Sequence, residues 1–161
     1  MSAVEVHLNS IVQLLPASNS RLTSETLFLL QTSSLIHKAA KIYLHTALFA
    51  AIPSTPIIRA LISEQMNLLS NISTLRSAHL WSIFVTALYA MNDQERIFFL
   101  EQFEKLELVS TAMGPAHAAK NIVQTVWKRR DLDVDSERSY GNRTSDWAMF
   151  VRPMSEGLSL A

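Results

Sequence analysis

The sequence predicts an all-α protein, an irregular helical bundle of about five to six helices. Three observations carry this. From Ser24 to Ala51 the chain has neither glycine nor proline, and Leu27, Leu35, Ala39, Ile42 and Leu48 recur near helical spacing. Asn92 with Glu95 offers the side-chain chemistry that starts a helix. Ala119, Ile122, Val123, Val126 and Trp127 follow the i, i+3, i+4, i+7, i+8 pattern of an amphipathic helix.

Residues 1–23 are expected to form a weakly ordered N-terminal segment. Their patterning is poor, and Pro16-Ala17-Ser18-Asn19-Ser20 is loop chemistry. A helical domain follows over residues 24–131. Its first helix spans Ser24 to Ala51, with Thr32-Ser33-Ser34 as a candidate break because hydroxyls compete for backbone groups. Pro53 and Pro56 end it and open the next, since proline lacks an N–H and fixes φ. Ile57 to Leu69 is the second helix, with Ile58, Leu61, Ile62, Gln65 and Leu69 on one side. Ser70 to Ser77 is a polar connector.

Ala78 to Met91 is apolar all round, which for a helix means burial on every side. Ile83, Val85 and Tyr89 favour a strand instead; the length and the small residues Ala78, Ala87 and Ala90 decide for a helix. At Asn92 the side-chain oxygen can accept the Glu95 N–H while the Glu95 carboxylate reaches back to the Asn92 N–H, a capping box. Phe99, Leu100, Phe103 and Leu106 form the apolar stripe of that helix. Glu101 and Lys105 make an i,i+4 pair on its wet face, contributing about 0.3 kcal/mol. Met113-Gly114-Pro115 is a break. The helix after it closes with Lys128, Arg129 and Arg130, where its own carbonyls carry negative potential. Residues 132–145, polar and containing Gly141, read as a linker. Residues 146–161 read as a short docking helix, Asp146 to Val151, that sets Trp147 and Phe150 against the core, then a loose tail from Pro153.

The length, 161 residues, fits one domain, and a chain of that size buries roughly two-thirds of its unfolded surface. A hydrophobic fraction of 48%, only 17% charged residues and a mean hydropathy of +0.15 exclude a disordered chain. The same numbers point to apolar surface that meets another part of the protein or a partner. Fourteen basic residues balance fourteen acidic ones, so the electrostatic footprint of a nucleic-acid binder is missing. Cysteine is absent, which removes disulfides, thiolate nucleophiles and thiolate zinc sites from this chain. No signal peptide is expected, because the first residues lack a basic leader and Glu5, His7 and Asn9 interrupt the apolar ones. The apolar run from Leu80 to Met91 is shorter than the roughly 20 residues a bilayer requires. The sequons at Asn71 and Asn142 are then chance matches.

No nucleophile elbow, phosphate loop or His-Glu-x-x-His occurs. We therefore expect no catalytic residue, no metal ligand and no cofactor. His37, Lys41 and His45 share one side of the long helix, but a lysine is a poor neighbour for a cation. Glu101, Glu104 and Glu107 read as a solubilising face, since acid–base work needs burial to shift their ionisation. Lys128-Arg129-Arg130 is too thin for a basic patch. His79 heads the buried helix and is expected to cap or pack, and His7 and His117 sit in weak contexts. Trp81, Trp127 and Trp147 are the candidate structural anchors, each able to bury roughly 200 Å².

One block of residues says more. Leu80-Trp81, the small-residue stretch Ala87 to Ala90, the acidic-x-x-Arg turn Asp93 to Arg96, the helix end Val126-Trp127-Lys128-Arg129-Arg130-Asp131 and the late Trp147 occur in that order, preceded by Lys41-Ile42-Tyr43-Leu44-His45. This succession resembles the C-terminal part of the regulatory domain of fungal zinc-cluster transcription factors, over about the last three-quarters of the chain. The proline that follows the first tryptophan in that family is Ser82 here. The resemblance implies a non-enzymatic helical domain that takes part in regulating RNA polymerase II transcription in the nucleus. It also implies a zinc-cluster DNA-binding module, with six cysteines, elsewhere in the same or a longer protein. Direct nucleic-acid binding by this segment and membrane association are not expected. Two other readings stay open. One is a freestanding helical interaction module that closes an apolar patch as a homodimer. The other is an enzyme or small-ligand binder, with a pocket among Trp81, Phe84, Tyr89 and Phe103.

Overall fold

A computed structural model describes residues 3–10, 24–109 and 114–134. The described residues form six α-helices: α1 (Ala3–Ser10), α2 (Ser24–Phe49), α3 (Pro56–Ser70), α4 (Leu80–Ala87), α5 (Asp93–Val109) and α6 (Gly114–Val134). A single 3₁₀ turn, Ser77–His79, leads into α4. No strand occurs among these residues, so the β-favouring Ile83 and Val85 are helical. α1 gives regular structure to part of a segment that the sequence left without pattern.

α4 is the hub. It packs against α2 on one side and against α5 and α6 on the other, α2 also packs on α3, and α5 lies along α6. Its sequence explains the position, because every residue from Leu80 to Ala90 is buried except the half-buried Trp81. Around it the other helices contribute Leu35 and Ile42, Ile58 and Ile62, Phe99 and Phe103, and Val123 and Trp127 to one continuous core. α3 buries Ile58, Leu61, Ile62, Gln65 and Leu69, the five positions its period selects. Pro56 stands at its N-terminus, where the missing N–H costs nothing.

Three boundaries depart from the sequence reading. α2 runs unbroken through Thr32-Ser33-Ser34. The Thr32 hydroxyl donates to the Phe28 carbonyl at 2.8 Å, a bond made inside the helix rather than against it. Leu27 and Leu48 of the proposed stripe are 48% and 61% exposed, on the face turned from the core. α4 is shorter than Ala78 to Met91, since its first turn is 3₁₀ and regular helix stops at Ala87. α6 continues past Asp131 to Val134, so the first residues of the expected linker are helical. The rest of that linker, the docking helix from Asp146, the Asn142 sequon and Trp147 lie outside the described residues.

The start of α5 is half the expected capping box. Asn92 Oδ1 accepts the Glu95 N–H at 2.8 Å. The Glu95 carboxylate does not return to the Asn92 N–H; its Oε2 takes the Met91 N–H at 3.0 Å, one residue earlier. The reason is its other oxygen, which is held in an ion pair by Arg59 of α3.

Candidate functional site

The residues of consequence meet where α4 ends. A helix leaves its last carbonyls without backbone partners, and α4 ends inside the protein, where water cannot supply donors. Four consecutive carbonyls, Ala87 to Ala90, receive side-chain donors, and that of Ala87 also accepts the Ala90 N–H at 3.1 Å. The Trp127 indole N–H donates to Ala87 at 2.8 Å. Arg130 Nη2 donates to Leu88 at 2.8 Å and its Nη1 to Ala90 at 3.4 Å. Arg59 Nη1 donates to Tyr89 at 3.3 Å. Ala87 and Ala90 are fully buried, and their small side chains let the donors of α3 and α6 reach the backbone.

Beside this junction α5 and α6 are clamped. Arg96 Nη1 and Nη2 donate to the two carboxylate oxygens of Asp131 at 2.7 and 2.6 Å, a fork-on-fork pair. The guanidinium also lies over the Trp127 ring, 5.5 Å from its centroid. Its hydrogen bonds to Asp131 raise the Arg96 pKa, and the same bonds hold the Asp131 carboxyl below its ordinary value. Arg59 and Glu95 repeat the device between α3 and α5.

A second polar cluster sits at the other end of α4. His79 is fully buried. Its Nδ1 accepts the Arg76 backbone N–H at 3.1 Å, so the proton of the neutral ring is on Nε2, which meets the Thr32 hydroxyl at 2.9 Å. Thr32 passes its own proton to Phe28. This relay joins the α3–α4 connection to α2. The Phe28 ring packs edge-on against His79 at 5.3 Å, and the Arg76 guanidinium lies over the Phe28 ring, 4.3 Å from its centroid. Burial first, and the Arg76 charge second, push the His79 pKa down. His79 thus both caps and packs.

Trp127 is 5% exposed and belongs to the core. Trp81 is half-buried and packs against the core. Phe84, Tyr89 and Phe103 are core side chains. Arg130 does not close its own helix, because α6 runs on for another turn and the guanidinium serves α4. Lys105 reaches Gln102 at 3.5 Å instead of Glu101. Glu104 and Glu107 both approach Lys120 of α6 at 3.5 Å, and His117 lies 3.3 Å from Glu107. His45 packs on Phe49 at 5.6 Å with the two rings tilted by 43°.

Arg59 and Glu95 were missed as a pair. Both are ordinary helix residues, and only the packing of α3 beside the start of α5 brings them together. Chemically the arrangement binds helices. The carboxylates of Glu95 and Asp131 are each occupied by a guanidinium, and no group of three metal-ligating side chains occurs among the described residues. No helix among the described residues is long and apolar enough to cross a membrane. The open surface of the junction is a shallow groove of about 530 Å³ between α5 and α6, bordered by Asp93, Arg96, Ile97, Leu100, Lys128 and Leu132.

Compared with known proteins, the chain matches the family described as fungal specific transcription factor domain over residues 3–161. The match reaches back to α1, further than the resemblance read from the sequence. No curated protein and no solved structure matches the chain.

Proposed function

From the premise that this chain belongs to the fungal specific transcription factor domain family, we propose that it is the non-enzymatic regulatory domain of a nuclear protein acting on RNA polymerase II transcription. Its role in transcription is regulatory. DNA contact falls to a zinc-cluster module elsewhere in the same or a longer protein, since this chain has no cysteine to hold one. One observation carries the reading. The residues of the family-like block, Ala87 to Ala90, Arg96, Trp127, Arg130 and Asp131, are spent on one another, as donors and acceptors that lock three helices. A domain whose signature is a rigid junction suits transmission of a signal between surfaces rather than turnover of a substrate.

The experiment is a fusion of the full chain to a heterologous DNA-binding module, read as reporter transcription in a fungal nucleus. The output should differ from that of the module alone at equal protein level. An unchanged output, with the fusion folded and nuclear, sinks the proposal.

A second reading, a helical interaction module, is favoured by Leu29, Ile36 and Tyr43. They recur every seven residues on α2 and are exposed. Sedimentation of the chain alone should then show self-association that Ile36→Asp removes.

A further inference from the structure

We propose that two copies of this chain pair through the face of α5 and α6 around the groove, each setting its Asp93 against Lys128 of the other. The proposal rests on the interaction-module reading but uses a different face from Leu29, Ile36 and Tyr43. The two helices are antiparallel. Arg96 near the start of α5 bonds Asp131 near the end of α6, and Glu104 and Glu107 approach Lys120 at the opposite end. That clamp fixes their register. Three residues before Arg96 stands Asp93, and three before Asp131 stands Lys128. One residue after each stands an apolar side chain, Ile97 and Leu132. All four border the groove.

Because the helices run in opposite directions, the two charges lie on opposite walls and on opposite sides of the clamp, each about 4.5 Å from it along its helix. The two apolar side chains lie nearer the middle. Such a face complements itself. A second copy turned about a two-fold axis in the plane of the face, diagonal to the helices, brings Asp93 over Lys128 and Lys128 over Asp93. Ile97 and Leu132 then lie beside the axis and meet their own counterparts. Each of the four needs an occupant. Ile97 is 57% and Leu132 63% exposed, and neither Asp93 nor Lys128 has an ion-pair partner among the described residues. Arg96 and Asp131, covered as well, are already paired, so closure leaves no lone charge there. An acidic or a basic partner would satisfy only one wall, whereas a second copy satisfies both. The area agrees. α5 has 17 residues, about 25 Å of helix, and two packed helices present a face about 20 Å wide. Covering about 500 Å² on each copy totals roughly 1,000 Å², the lower bound for a specific interface, so the dimer is a reversible one.

Sedimentation equilibrium of the full chain, with circular dichroism as the check on folding, is the test. The unaltered chain should show a monomer–dimer equilibrium that salt weakens. Lys128→Asp and, separately, Asp93→Lys set like charges against each other and should each raise the dissociation constant about tenfold or more. The chain carrying both exchanges should return to within about threefold of the parent. Single exchanges without effect, or a double exchange as weak as the singles, overturn the proposal. A dimer that Ile36→Asp dissolves and the exchanges leave intact also overturns it, while upholding the interaction-module reading on α2. A chain still monomeric at about 0.5 mM overturns both. Should an exchange lose its helical circular dichroism, Ile97→Asp, at an exposed position, decides. It should dissociate the dimer, and an unaffected dimer overturns the assignment.

Discussion

Trp127, on α6, gives its indole N–H to the carbonyl of Ala87, on α4, at 2.8 Å. One side chain thereby fills the core and supplies a donor to a helix end that water cannot reach. The two roles separate by substitution. Trp127→Ala should lower stability by about 3–5 kcal/mol, since it opens a cavity and removes one of the two donors to the buried Ala87 carbonyl, leaving the Ala90 N–H. Trp127→Phe keeps most of the ring and removes only the donor, for about 0.5–1.5 kcal/mol, because the Ala87 carbonyl keeps the Ala90 N–H. Chemical denaturation of both variants checks the order, and a Phe variant as stable as the parent would show that the hydrogen bond contributes nothing.

Arg129 and Arg130 are adjacent in sequence and unlike in role. Arg130 serves two carbonyls of α4, at Leu88 and Ala90, whereas Arg129 is exposed. Arg130→Met, which retains the apolar stem, should cost about 1–3 kcal/mol by leaving those acceptors unsatisfied. Arg129→Met, at an exposed position where water screens any charge interaction, should cost less, about 0.5 kcal/mol. Thermal unfolding of the pair measures the contrast, and comparable losses would remove Arg130 from the junction.

Arg96 and Asp131 clamp α5 to α6 through two parallel hydrogen bonds. Asp131 is half-exposed, so solvent screens the pair and its net contribution is about 1 kcal/mol or less. The pKa of Asp131 is depressed in the folded state. Its contribution is therefore present above the unfolded carboxylate value near 4 and is lost as pH falls below it. A double-mutant cycle with Arg96→Met and Asp131→Asn should give a coupling that disappears at low pH; a coupling that persists there contradicts the assignment.

His79 adds a second and separable pH dependence. Its pKa is lowered on folding by burial and by Arg76. The folded protein then resists a proton that the unfolded chain takes up, so stability holds above about pH 6.5 and falls as pH drops below that value. A structural reason accompanies the sign, because a protonated Nδ1 cannot accept the Arg76 N–H. His79→Gln should flatten the stability profile between about pH 6.5 and 5 at some cost in stability at neutral pH. A variant as pH-sensitive as the parent would show that another group carries the effect.

Periodicity is local, and what was legible in the sequence is what locality determines. The buried positions of α3 and the Ala119-to-Trp127 stripe of α6 both follow from 3.6 residues per turn. The resemblance picked out Ala87 to Ala90, Arg96, Trp127 and Asp131, and the structure brings them to one junction. The partners were not legible. Glu95 was assigned to its own helix end because a capping box is a four-residue rule, whereas the competing Arg59 comes from a helix thirty-six residues away. Arg130 was assigned to the end of its own helix for the same reason. Thr32 looked like a break because its partner His79, forty-seven residues on, is visible only after packing.

The end of α2 supplies the last prediction. Ala50 lies in the left-handed region at φ 49°, where a Cβ crowds the following carbonyl and costs on the order of 1 kcal/mol. The conformation turns the chain so that the Ala51 N–H reaches the His45 carbonyl at 3.1 Å. Glycine adopts that φ without penalty, although it also makes the unfolded chain freer. Ala50 is exposed, so removing its methyl sacrifices no core contact. Ala50→Gly should therefore raise stability by about 0.5–1 kcal/mol, the reverse of the usual effect of glycine near a helix. Equilibrium urea unfolding with an unchanged m value is the appropriate reading, and a destabilised variant would show that α2 continues in a right-handed conformation through Ala50.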